Sequence, residues 1–76
     1  MSKGYSTLTV RQIEEANQSL LGVRLGKICV AKHIPVSDVA EHLGVSRVTV
    51  YAWFRGEAIV SSRYVDSVEK IIAKLS

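Results

Sequence analysis

The sequence is poor in the features that mark secreted and membrane proteins. Its 76 residues include one cysteine and one proline, so no internal disulfide can form and a disulfide-stapled scaffold is not expected. No apolar run approaches the ~20 residues that a membrane-spanning helix needs. Residues 2–7 are polar and show no signal-peptide pattern. We therefore expect a protein of the cytoplasm.

Groups that carry catalysis are also missing. The sequence has no glycine-rich phosphate loop and no nucleophile motif, and its paired acidic residues, such as Glu14 and Glu15, fit solvated helix faces. A chain of this length forms one domain, which excludes an enzyme of several domains. We expect no enzymatic activity, no cofactor and no small-molecule substrate.

Charge and size permit two kinds of partner. Ten Lys and Arg residues against seven Asp and Glu give a net charge of +3, which allows a nucleic-acid partner without requiring one. A chain this short buries only about 60% of its unfolded surface on folding. Packing against a second copy would stabilise it.

The apolar residues follow helical spacing, and no useful length alternates with period two. The expected fold class is therefore all-α, with four to five helices. Residues 1–8 are expected to be a flexible N-terminal arm, and residues 9–76 a single domain. Thr9 and Gln12 have the spacing of a capping box, which predicts a first helix from near Val10.

Two further helices follow from apolar stripes. The first stripe consists of Leu21, Leu25, Ile28 and Cys29, and it predicts a helix up to His33, before Pro35. Val23 and Val30 lie on the opposite side, where the N-terminal helix or another chain covers them, or where they are simply exposed. A longer stripe predicts a last helix over residues 62–75.

Residues 36–56 combine two short helices with a glycine turn. The inward positions of the first helix are Val39, Ala40 and Leu43. Gly44 permits the positive φ of a sharp turn, and Ser46 is a suitable N-cap for the second helix. Two short helices joined by a glycine-containing turn form a helix-turn-helix, whose crossing suits a small residue such as Ala40.

The second helix of this motif, residues 47–55, has two different faces and is ended by Gly56. Its predicted packing face consists of Val50, Trp53 and Phe54. Its outward face consists of Val48, Ala52 and Arg55, flanked by Arg47, Thr49 and Tyr51.

This segment resembles the helix-turn-helix of the phage repressor group, the Cro/CI-like or XRE-like family. The family pattern of alanine, glycine, aliphatic and hydrophobic residues is matched by Ala40, Gly44, Val50 and Trp53. The exit over residues 53–56 and the flanking helices extend the likeness to residues 21–75. The family often has glutamine at the start of the first motif helix, where this chain has Val36.

The resemblance implies a recognition helix in the major groove of DNA. The residues that it assigns to base edges are Ser46, Arg47, Val48, Tyr51 and Ala52. Phosphate contacts, which fix position without specifying sequence, are expected from Thr49, Arg55 and Arg63. The chemistry of these side chains agrees, because arginine can donate two hydrogen bonds to guanine and small apolar groups contact the thymine methyl.

The function expected on this basis is that of a sequence-specific transcriptional regulator that binds double-stranded DNA. It would act as a homodimer on a palindromic or pseudo-palindromic operator, with half-sites ~34–36 Å apart, at the nucleoid of a bacterial host cell. The dimer contact is expected either at the edge of the last helix near Ala73, or at the face of Val23 and Val30 together with the N-terminal helix.

The sequence leaves open two alternatives to this function and contains candidate residues for a metal site. One alternative is a winged-helix DNA binder of the excisionase or MerR type, which needs a β-hairpin after the motif. The other is a protein-binding helical module, such as an antitoxin. Cys29, His33 and His42 are candidate metal ligands, but a structural zinc site needs four, so no metal is expected.

Overall fold

The computed structural model describes residues 5–76, which contain five α-helices and no strand. The helices are α1 Thr7–Glu15, α2 Leu21–Ala31, α3 Val36–Leu43, α4 Arg47–Phe54 and α5 Ser62–Leu75. The all-α class is thus confirmed. Helix α2 lies in the middle and packs against α1, α4 and α5, while α3 packs against α4. The β-hairpin that a winged-helix domain requires after its motif is not found in residues 5–76, where α5 follows instead.

The first helix begins three residues earlier than predicted. Ser6, not Thr9, is its N-cap: the Ser6 hydroxyl accepts a hydrogen bond from the backbone N–H of Thr9 at 3.1 Å. The prediction of a flexible arm over residues 1–8 is therefore wrong for residues 5–8, of which Tyr5 packs onto α4. Residues 1–4 lie outside the described residues.

The second helix ends two residues before the predicted His33. Ala31 is its last residue, and His33 has a φ of 60°, a left-handed conformation that cannot continue a right-handed helix. The backbone N–H of Ile34 then donates to the carbonyl of Cys29 at 2.8 Å, so the chain turns before Pro35 is reached. The fourth helix likewise ends one residue earlier than predicted, with Arg55 as its C-cap.

One hydrophobic core joins all five helices. Its largest fully buried side chains are Phe54, Ile13, Leu25, Val23, Val50, Val68 and Cys29. Val23 is covered by the chain itself, and Val30 is half-buried. Of the possibilities left open by the sequence, cover from another chain is therefore not needed at Val23. Among the described residues, no helix combines the length and the apolar character that crossing a bilayer requires.

Two glycines of α2 allow α4 to lie directly against it. A Cβ atom added at Gly22 would lie 2.7 Å from both the Cβ and the carbonyl oxygen of Trp53, and one added at Gly26 would lie 2.8 Å from Cγ of Phe54. Real Cβ atoms do not approach other heavy atoms so closely, because protein interiors are already packed to the density of organic crystals. The pair, spaced by four residues on one helix face, therefore sets the position of α4.

The turn between α3 and α4 depends on a left-handed backbone at Gly44, with φ 73°. A Cβ atom there would meet nothing within 4 Å, so only backbone strain opposes a side chain. We expect Gly44→Ala to lower the free energy of unfolding by about 1 kcal/mol, measured by urea denaturation. Gly44→Asn is the matched control and should lose less, because asparagine tolerates this conformation. Equal losses in both variants would contradict the explanation.

Candidate nucleic-acid interface

Helix α4 is held at both ends by local hydrogen bonds. At its start, the Ser46 hydroxyl accepts from the backbone N–H of Thr49 at 3.2 Å and lies 3.0 Å from the Thr49 hydroxyl. At its end, the backbone N–H of Glu57 donates to the carbonyl of Ala52 at 2.9 Å, and Gly56 takes a φ of 74°. These caps satisfy end groups that have no partner within the helix. They keep an eight-residue helix well defined.

The inner face of α4 is buried in the core. Val50 and Phe54 have no exposed surface, and Trp53 is 2% exposed. The Trp53 ring lies 5.8 Å from the ring of Tyr64 on α5, and Ala40 of α3 is buried in the same core. Because these contacts fix the rotation of α4 about its own axis, the opposite face points away from the core.

The residues assigned to base edges lie on this outward face or at its N-terminal end. Ser46, Arg47 and Val48 are exposed, whereas Tyr51 and Ala52 are half-buried. Val48 keeps 77% of its surface accessible, so its apolar side chain is available to a partner. The structure thus brings together a cation, a hydroxyl group and apolar surface within two turns of helix.

The residues assigned to phosphates differ in their availability. Thr49 is half-buried and its hydroxyl is near that of Ser46. The guanidinium of Arg55 donates to the carboxylate of Glu57 at 3.0 Å and lies 5.8 Å from the centre of the Tyr51 ring. Arg63, in the first turn of α5, is exposed.

Glu57 is a part of the site that the sequence patterns did not single out. Its hydrogen bond from Arg55 lowers the pKa of its carboxyl below the ordinary value. The carboxylate therefore stays ionised and compensates the charge of Arg55. A phosphate that approaches Arg55 has to compete with this ion pair, in which Arg55 is half-buried and Glu57 is exposed.

Tyr5 is a second residue that the sequence patterns missed. Its ring lies 6.4 Å from that of Tyr51, nearly perpendicular to it, and 6.2 Å from that of Phe54. Its hydroxyl donates to the carbonyl of Ile34. Burial raises the pKa of this phenol well above its ordinary value, so it stays protonated as a donor. The sequence feature that could have indicated this contact is the presence of an aromatic residue in an otherwise polar segment.

The candidate metal ligands do not form a cluster. Cys29 is fully buried in the core, and burial raises the pKa of its thiol to about 11, which leaves the sulfur protonated. His33 and His42 are exposed. In residues 5–76, no group of three or more His, Cys, Asp or Glu side chains is arranged to hold a metal ion.

Comparisons with protein-family models, with curated proteins and with solved structures found no match to this chain. What the surface can bind therefore follows from its own chemistry. The outward face of α4 offers hydrogen-bond donors from Arg47 and Ser46, apolar contact from Val48 and Ala52, and, at its edge, the guanidinium of Arg55 paired with Glu57. It offers no exposed carboxylate of its own.

Proposed function

We propose that this protein is a sequence-specific transcriptional regulator of the repressor type, with α4 as the helix that reads double-stranded DNA. The observation that carries the proposal is the outward face of α4, where Arg47 stands next to a Val48 that is 77% exposed. Water is a poor environment for such an apolar side chain, but the methyl group of thymine is a good one. The arginine beside it can recognise guanine through two hydrogen bonds.

The proposed DNA contacts fall into two groups. Contacts to base edges specify sequence, while contacts to phosphates fix the position of the protein on the duplex. Arg47, Val48 and Ala52 take the first role. Arg55 and Arg63 take the second, with Arg55 released from Glu57 as the phosphate arrives.

A homodimer would place two copies of α4 on one face of the duplex. Dimeric helix-turn-helix proteins bind half-sites about one helical turn apart, ~34–36 Å. Occupation of such an operator excludes polymerase from an overlapping promoter, so we propose repression as the regulatory outcome. The proposed setting is the cytoplasm of a bacterial host cell.

The protein-binding alternative has lost part of its basis. The surface considered for it consists of Val23, Val30 and the N-terminal helix, but Val23 is fully buried within the chain.

The proposed function is tested by the salt dependence of DNA binding. Arg55 and Arg63 are the two charged phosphate contacts in each protomer, so a dimer makes four, and the logarithm of the binding constant should fall with the logarithm of salt concentration with a slope of about −3.6. Between 50 and 200 mM salt the affinity should fall roughly a hundredfold, measured by fluorescence anisotropy on mixed duplexes.

Two variants make this test specific. Arg63→Ala should reduce the slope by about 1 for each protomer, whereas Lys74→Ala, which removes the same charge from the last turn of α5, should leave it unchanged. Absence of binding at low salt, or affinity that does not respond to salt, would contradict DNA binding.

A further inference from the structure

A groove runs between α2, the loop that joins α4 to α5, and α5. It consists of two adjoining depressions that share Leu21, Arg24 and Glu69. We call it the α2–α5 groove and define it by Leu21, Arg24, Ile59, Val65, Glu69 and Ala73. Its floor is formed largely by aliphatic side chains, and its two charged residues lie on different helices.

An isoleucine stands at the rim of the α2–α5 groove. Ile59 is 78% exposed, although the loop around it is anchored. The backbone N–H of Ala58 donates to the carbonyl of Ala52 at 3.2 Å, and Val60 is buried in the core. Ile59 is therefore exposed although the residues on both sides of it are anchored.

The two charges of the α2–α5 groove have opposite signs. Arg24 and Glu69 are both exposed, and neither forms an ion pair with another residue of the range 5–76. A partner of uniform charge, such as DNA, would meet one like charge here. If a two-fold axis pairs Arg24 of one copy with Glu69 of the other, it also pairs Glu69 of the first with Arg24 of the second, so a second copy can complement both charges.

We infer that the α2–α5 groove is the surface through which two copies of this chain associate, with Ile59 of each copy seated in the groove of the other and Arg24 of each facing Glu69 of the other. The need for a dimer rests on the proposed function, but the location of the contact does not. A stable interface buries about 800 Å² on each partner, roughly a sixth of the 5024 Å² surface of the chain.

The first test measures association without DNA, by sedimentation equilibrium of the whole chain. We expect a dimer, and we expect Ile59→Ser to raise its dissociation constant by at least about tenfold, since two isoleucines lose their burial. Leu8→Ser is the matched control, because Leu8 is also a largely exposed apolar residue, at 65%, but lies on α1. A monomeric wild-type chain, or equal effects of the two variants, would overturn the inference.

The second test uses charge reversal to separate contacts between copies from contacts within one. Arg24→Glu and Glu69→Arg should each weaken self-association, because like charges then meet at both symmetric contacts. An equimolar mixture of the two variants should form heterodimers, since each contact again joins opposite charges. Failure of the mixture to associate would overturn the pairing. A wild-type chain that forms the dimer but does not bind DNA would instead contradict the proposed function and leave the dimer contact unaffected.

Discussion

Gly22→Ala is expected to lower the free energy of unfolding by about 2 kcal/mol, although alanine is the better helix former. The added methyl group would lie 2.7 Å from the carbonyl oxygen of Trp53, a backbone atom that no rotamer change can move away. Overpacking of this kind costs about 1–3 kcal/mol, and more where the backbone must shift. The gain in helix propensity, about 1 kcal/mol, offsets only part of that cost.

Urea denaturation of Gly22→Ala beside Lys27→Ala separates packing from propensity. Lys27 is exposed on the same helix, so its replacement should change stability by only a few tenths of a kcal/mol. Propensity alone predicts that Gly22→Ala is more stable than the wild type, and that result would contradict the close contact between α2 and α4. Because Trp53 belongs to α4, we also expect the folded variant to bind DNA more weakly.

Arg47→Ala is expected to remove the preference for one base pair in each half-site. A two-bonded contact from arginine to guanine contributes about 1–3 kcal/mol of discrimination, which corresponds to a factor of roughly 5 to 150 in relative affinity. Arg47 is exposed on α4 and has no ion-pair partner among residues 5–76, so its loss should leave the fold unchanged. Competition between duplexes that differ at single base pairs measures the effect.

The control for Arg47→Ala is Lys74→Ala, which removes one positive charge from the end of α5. If charge alone determined binding, both variants would weaken binding to all duplexes by the same factor. A loss confined to the preferred base pair supports a base contact by Arg47. Equal discrimination in the wild type and Arg47→Ala would mean that Arg47 does not read a base.

Sequence patterns that depend only on residues close together in the chain predicted much of the fold. The apolar stripe over residues 62–75 gives the bounds of α5, because a helix that covers a core repeats its apolar residues at intervals of about 3.6 residues. Ser46 lies at the start of α4 for an equally local reason, since its hydroxyl accepts the N–H of Thr49. The start of α1 was missed because Ser6 and Thr9 are both acceptable caps.

The features that sequence patterns missed depend on contacts between distant residues. Gly22 and Gly26 look only like weak points of a helix until Trp53 and Phe54 are placed against them. Tyr5 lies in a polar stretch, and its contact with α4 depends on the fold of the whole chain. The ion pair of Arg55 with Glu57 arises from the turn at the end of α4. A phosphate can contact Arg55 only in competition with the carboxylate of Glu57.

Selection of bound duplexes from a random pool tests whether α4 reads the sequence of double-stranded DNA. We expect enrichment of a two-part sequence, whose halves lie about 10–10.5 base pairs apart. Selection with Arg47→Ala should lose the guanine preference at one position in each half and keep the remainder. Recovery of the unselected pool by the wild-type chain, or identical sequences for the wild type and the variant, would contradict the claim.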